Sequence, residues 1–133
     1  MNQIGIPNLD KKLEASLIAD MVKVEELMRS HIQGDYPLVV ETSRHLVEAG
    51  GKRLRPLLTL IAAQFGDPTN YDIIKAAVCC ELTHLATLYH DDVMDDAVLR
   101  RGVISANKKW NNAVAILTGD YLFSKVSDML ADI

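Results

Sequence analysis

Apolar residues recur at helical spacing along almost the whole chain, and strand-like alternation is scarce. The first amphipathic segment runs from about Leu9 to His31, with Leu13, Leu17, Ile18, Met21, Val24, Leu27 and Met28 on one face. Gly34 to Pro37 breaks it. A second helix is predicted from about Leu38 to Ala49, stopped by Gly50–Gly51. Pro56 falls in the first turn of a third helix that reaches about Phe65, a position that tolerates proline. Gly66 to Asn70 reads as a turn in which Thr69 or Asn70 caps a fourth helix, about Tyr71 to Asp95. A loop with Arg100, Arg101 and Gly102 follows, then a short helical turn near Ser105 to Trp110. The last helix begins at Asn111 or Asn112 and runs to Ile133. The residues from Asp128 to Ile133 read as mid-helix, without Gly, Pro or a basic last turn, so the chain is expected to be cut short. The fold class is all-α.

Composition narrows the functional classes. The chain has 133 residues, enough for one domain or a piece of one, and with 49% hydrophobic and 24% charged residues it has the material for a packed core. A net charge of −4 argues against nucleic acid or an anionic membrane as the main partner. The longest apolar stretches, such as Leu57 to Ala63, fall far short of the roughly 20 residues that span a bilayer. Met1, Asn2, Gln3 and Ile4 form no basic n-region before an apolar run, so no signal peptide is expected. The adjacent Cys79 and Cys80 have neither disulfide-framework nor metal-ligand spacing; they read as buried core thiols, in keeping with a reducing cytoplasm.

Chemistry concentrates at the end of the fourth helix. Asp91, Asp92, Asp95 and Asp96 place four carboxylates within six residues. Asp91 and Asp95 share a helix face, as do Asp92 and Asp96, so like charges repel along each face. The helix dipole disfavours negative charge at that end, and Asp is a poor helix former. Such a run is either a solvated acidic face or a cation site. Magnesium takes one or two carboxylates and completes its shell with water and substrate phosphates. Upstream, His84, Thr87, Asp91 and Asp95 follow one helical stripe flanked by Leu82, Leu85, Leu88 and Val93, which implies a wet or ligand-lined side.

Two basic clusters bracket the carboxylates. Gly50, Gly51, Lys52, Arg53, Leu54, Arg55 and Pro56 form a glycine-led loop opening into a helix, and Arg100–Arg101 follow the acidic run. Glycine lets a backbone approach an anion, a helix N-terminus attracts phosphate, and Lys52 and Arg55 add charge. Either loop alone is equally a solvated turn. Together with the carboxylates they suggest a site for metal and highly charged anions, with diphosphates the obvious candidates.

In this order, GGKRLRP (Gly50–Pro56), ELTHLATLYHDDVMDDAVLRRG (Glu81–Gly102) and AILTGDYLF (Ala115–Phe123) resemble the trans-type prenyl diphosphate synthases, from about Leu46 to Phe123. DDVMD (Asp91–Asp95) is similar to the first aspartate-rich motif of that family. The resemblance implies antiparallel helices of the isoprenoid synthase fold, here its N-terminal part. It implies that Asp91, Asp92 and Asp95 hold Mg²⁺ against the diphosphate of an allylic prenyl substrate, which Arg100 also contacts. Lys52, Arg55, His84 and Arg101 are then expected to bind isopentenyl diphosphate, whereas Arg53 has either a site role or a surface role. Ala86 and Thr87, small residues just upstream of Asp91, are expected to line the product tunnel and permit a medium or long chain, such as a heptaprenyl-type quinone side-chain precursor. The family also implies a homodimer or a heterodimer with a small subunit.

The second aspartate-rich motif of the family is absent: Asp128 and Asp132 lack its neighbours and read as surface acids. Residues 1–133 therefore read as the N-terminal helical part of a synthase domain, inactive alone. They are expected to self-associate through Ala113, Ile116, Leu117, Leu122 and Met129 of the last helix. The alternatives are a natural short homologue that binds diphosphate or a partner without catalysis, and a class I terpene cyclase. The GGKRLRP loop argues against the cyclase.

Overall fold

A computed structural model describes residues 4–133; Met1–Gln3, part of the leader reading above, lie outside it. The order is α1 (Lys11–His31), α2 (Pro37–Glu48), α3 (Leu54–Ala62) with a 3₁₀ turn at Ala63–Phe65, α4 (Asp72–Met94), β1 (Leu99–Arg100), β2 (Val103–Ile104), α5 (Ala106–Lys109) and α6 (Asn112–Ala131). The predicted helices are therefore present, with ends displaced by a residue or two.

Local chemistry sets those ends. The Asp10 carboxylate accepts from the Leu13 amide at 3.0 Å and starts α1. Asn70 Oδ1 accepts from the Asp72 amide at 2.9 Å at the head of α4, and Asn111 Oδ1 from the Val114 amide at 2.8 Å at the head of α6. A two-residue hairpin replaces the expected plain loop at 99–104, with Leu99 opposite Ile104 and Arg100 opposite Val103. Its turn residues Arg101 and Gly102 have φ of 53° and 76°, the positive pair that a type I′ turn requires. So short an element leaves no readable alternation in the sequence.

Helix α4 is the hub. Ile74, Ala77, Val78, Leu82, Leu85, Ala86, Leu88 and Tyr89 are buried on several of its faces, against Leu17, Val24 and Met28 of α1, Leu60 of α3 and Leu122 and Val126 of α6. The Tyr89 hydroxyl donates to Thr42 O at 2.5 Å and accepts from the Leu46 amide at 3.3 Å, stapling α2 to α4. Burial pushes the Tyr89 phenol well above its usual range.

Two surface expectations need correction. Leu122 and Met129 belong to the core; Ala113, Ile116 and Leu117 are exposed as expected, and Leu130 joins them as an exposed large apolar residue of α6. Cys79 is buried but Cys80 is exposed, because successive helical residues point about 100° apart. Asp128 and Asp132 are exposed, as read.

The α4–α6 contact depends on Gly119. A Cβ there would stand 3.0 Å from Ala86 O and would overlap the His90 imidazole, whose Nε2 lies 2.9 Å from Ile116 O and 3.3 Å from the Asp120 carboxylate. Gly119→Ala should lower stability by about 1–3 kcal/mol, since the backbone carbonyl cannot yield. Urea denaturation of the variant beside the parent chain checks this; an unchanged midpoint would show that the helices separate at no cost.

Candidate active site

The glycine loop between α2 and α3 is built from left-handed residues: φ is 92° at Gly50, 138° at Gly51 and 53° at Arg53. Glycine adopts such values freely, whereas Arg53 is held there at a cost of about 1–2 kcal/mol. Its side chain supplies the compensation. Arg53 is 9% exposed; its Nε donates to Glu25 Oε1 at 2.5 Å, Nη1 to Glu81 Oε1 at 3.3 Å and to Gly50 O at 3.2 Å, and Nη2 to Val47 O at 3.2 Å. The surface role considered for Arg53 is thereby excluded. Gly51 also lies against two guanidiniums: a Cβ there would stand 2.9 Å from Arg101 Cζ and 3.1 Å from Arg53 Nη1.

The acidic end divides in two. Helix α4 stops at Met94, with the Asp95 amide donating to Asp91 O at 2.8 Å and the Ala97 amide to Asp92 O at 2.9 Å. Asn107 Nδ2 and Ser105 Oγ donate to Ala97 O at 3.1 and 2.6 Å and hold the turn that follows. Asp92 is 1% exposed, and its carboxylate accepts from Arg100 Nη2 at 2.5 Å and Nε at 3.0 Å. That hydrogen bond is the main reason the Arg100 guanidinium holds its proton more tightly than usual. Asp91 is half-buried and Asp95 exposed, and neither side chain is engaged in an ion pair among the described residues. Asp96 stands apart, with φ 49°, paired to Lys108 at 2.6 Å.

No group of three or more His, Cys, Asp or Glu that could hold a metal by itself occurs among the described residues. Asp91 and Asp95 nevertheless fit magnesium in its usual mode, one or two carboxylates with water and phosphate completing the shell. The sequence reading groups Asp92 with them; here that carboxylate is committed to Arg100.

The residues expected to bind diphosphate meet around one cavity of about 570 Å³: Lys52, Arg55, His84, Arg100 and Arg101 all line it. Lys52 and Arg55 are exposed, Arg101 is largely buried. Burial, then the neighbouring Arg53, weakens the hold of Arg101 on its proton. Burial, then Arg55, lowers the His84 pKa, so at neutral pH this imidazole is an uncharged hydrogen-bonding group. An apolar groove of similar volume, about 570 Å³, lies between α3, α4 and α6, lined by Leu58, Ala76, Cys79, Cys80, Thr83, Val126 and Leu130. Arg55 borders both spaces. Ala86 is fully buried, and Thr87 is half-buried with Oγ1 donating to His84 O at 2.6 Å.

Sequence reasoning passed over Glu81, which lines the basic cavity yet is 2% exposed and takes contacts from two arginines. The signal was available: Glu81 lies in register with Ala77, Leu85 and Leu88, an acid on an apolar stripe.

Residues 36–133 match the polyprenyl synthetase family. The chain belongs to the polyprenyl synthetase family. It is similar to the nonaprenyl diphosphate synthase of Mycobacterium tuberculosis, 44% identical over 96% of this chain and 38% of that one. It is also similar to the heptaprenyl diphosphate synthase component 2 of Geobacillus stearothermophilus, 43% identical over 92% and 38%. Its helices superpose on a Caulobacter crescentus polyprenyl synthase, solved in complex with calcium and isoprenyl diphosphate, with a TM-score of 0.85 and 39% identity over 90% of this chain and 37% of that one. This polyprenyl synthetase chain thus spans under two-fifths of the length of those relatives, and its mostly helical fold matches about a third of an isoprenoid synthase structure.

The division of the aspartates can be measured. Asp92→Ala should cost about 1.5–3 kcal/mol, from the loss of its charge-assisted hydrogen bonds to Arg100. Asp95→Ala, at an exposed position, should change stability by less than about 0.5 kcal/mol, and Asp91→Ala, half-buried but in no ion pair among the described residues, should cost well under what Asp92→Ala does. Thermal melts of the three variants check this; equal losses would mean that Asp92 is no more structural than its neighbours.

Proposed function

We propose that residues 1–133 are the N-terminal helical part of a trans-prenyltransferase that adds isopentenyl diphosphate head-to-tail to an allylic prenyl diphosphate. The observation that carries this reading is that Arg55 borders both the basic cavity and the apolar groove. Adjoining spaces of those two kinds suit a charged head with a hydrocarbon tail.

Lys52, Arg55, His84 and Arg101 would anchor the diphosphate of isopentenyl diphosphate, and Arg100 would contact that of the allylic substrate. Magnesium, held by Asp91 and Asp95 together with substrate phosphates, would supply positive charge to the leaving diphosphate. Asp92 would serve that end through Arg100, which it orients. Ionisation of the allylic C–O bond leaves a carbocation, the double bond of isopentenyl diphosphate attacks it, and loss of a proton restores an alkene. The arginines stabilise charge as it develops on the leaving group, and anchoring both diphosphates supplies proximity. The neutral His84 would donate a hydrogen bond and gain a proton when an anion settles against it.

Catalysis is proposed to need helices beyond these residues, consistent with the fraction of the relatives that they span. The same reading places the protein in the cytoplasm, as a homodimer or paired with a small subunit. The other reading, a short homologue that binds diphosphate without turnover, rests on the same cavity.

Calorimetry with magnesium pyrophosphate tests the site in the 133-residue chain itself. Lys52→Ala with Arg55→Ala should weaken binding at least about tenfold, since two charge-assisted hydrogen bonds are lost. Binding should tighten as pH falls below neutral, because a bound anion favours protonation of an imidazole whose pKa is depressed in the free chain, and His84→Gln should remove that dependence. Given isopentenyl diphosphate and an allylic partner, the chain alone should form no product. Indifference to the double substitution would refute the anion site, and turnover would refute the need for further helices.

Product length is proposed to be medium or long because Ala86 and Thr87 are small. In a complete synthase carrying this segment, Ala86→Phe should shorten the product; chromatography showing an unaltered chain length would rule this out.

A further inference from the structure

A carboxylate lining a cavity built for diphosphate is out of place, because its charge repels the ligand. Glu81 is such a group, and it is 2% exposed. Its charge is already taken: Arg53 Nη1 lies 3.3 Å and Arg101 Nη2 3.7 Å from Oε1. Each of those arginines reaches on to the backbone. Arg53 donates to Val47 O and Gly50 O, both at 3.2 Å, and Arg101 Nη1 donates to Leu46 O at 2.9 Å. Gly51 packs directly on both guanidiniums. The end of α2, the glycine loop, the hairpin and α4 are therefore joined at one buried carboxylate.

We propose that Glu81 is a positioning residue for diphosphate binding: by clamping Arg53 and Arg101 it fixes the Gly50–Arg55 loop and the Arg101 fork at the spacing that an anion needs, without touching the ligand. This rests on the diphosphate reading of the cavity. Arg53 is the second member of the clamp: it too lines the cavity, but its side chain is 9% exposed and paired with Glu25 and Glu81, whereas its neighbours Lys52 and Arg55 are exposed.

The proposal predicts the opposite sign from simple electrostatics. Glu81→Gln removes a negative charge from an anion site, and charge alone would tighten binding. Positioning requires that binding weaken. Magnesium pyrophosphate should bind the E81Q chain at least about tenfold less tightly than the parent, about 1.4 kcal/mol. Glu81→Asp should recover part of the loss. Leu122→Ala, which opens a core cavity on α6 away from the clamp, should leave affinity unchanged although it lowers stability. Hydrogen exchange gives a readout that needs no ligand: the amides of Gly50 to Leu54 should exchange faster in E81Q, while those in the middle of α6 should not. If E81Q does not fold, Arg53→Lys, which keeps the charge but loses the fork, takes its place with the same expectations. Equal or tighter binding by E81Q, or loop exchange no faster than in the parent, overturns the clamp. A parent chain that does not bind pyrophosphate overturns the diphosphate reading instead, and the exchange measurement then decides the clamp by itself.

Discussion

A fully buried position on a packed helix cannot hold a bare carboxylate, and α4 has two carboxylates at such positions, Glu81 and Asp92, at 2% and 1% exposure. Leaving either unpaired in a low-dielectric interior would cost several kcal/mol, so each must be met by a cation from another element. Glu81 takes Arg53 from the glycine loop and Arg101 from the hairpin turn; Asp92 takes Arg100 from the same hairpin. Those pairings tie the glycine loop and the hairpin to the central helix.

The backbone bears the strain of this arrangement. Arg53 and Arg101 both lie at φ 53°, where a residue with a Cβ is disfavoured; the Arg53 guanidinium is paired with Glu25 and Glu81, and that of Arg101 is held by Leu46 O and Glu81 while still lining the cavity. The consequence is a rim on which some cations are spent and others are not. Lys52 and Arg55 remain exposed at the cavity, whereas the arginine between them is paired with Glu25 and Glu81. At the far end of α4 the same division applies to acids: Asp92 is paired with Arg100, and Asp91 and Asp95 are in no ion pair among the described residues. Preorganised charge of this kind is what a diphosphate leaving group would require.

Much of this was legible beforehand. The helical period placed α1, α2, α4 and α6 within a residue or two, and Asp10, Asn70 and Asn111 mark helix starts by ordinary capping chemistry. The charged residues that gather round the basic cavity stood out as well, as a glycine-led basic loop and an Arg–Arg pair bracketing an acidic run that breaks local helix rules. Less legible were the hairpin, too short to show a period, and the outward face of α6, where Leu122 and Met129 proved to be core.

The amino-acid order by itself determined which segments coil, since propensity, capping and apolar spacing act over a few residues. It also determined which charges were available to a site. Only the tertiary structure decided which of those charges are spent. Arg53 and Arg55 look alike in the sequence, as do Asp91 and Asp92, yet one of each pair is buried in an ion pair and the other is not. That difference comes from contacts between residues far apart along the chain, Arg53 with Glu25 and Glu81, and Arg101 with Leu46, and local pattern carries no record of them.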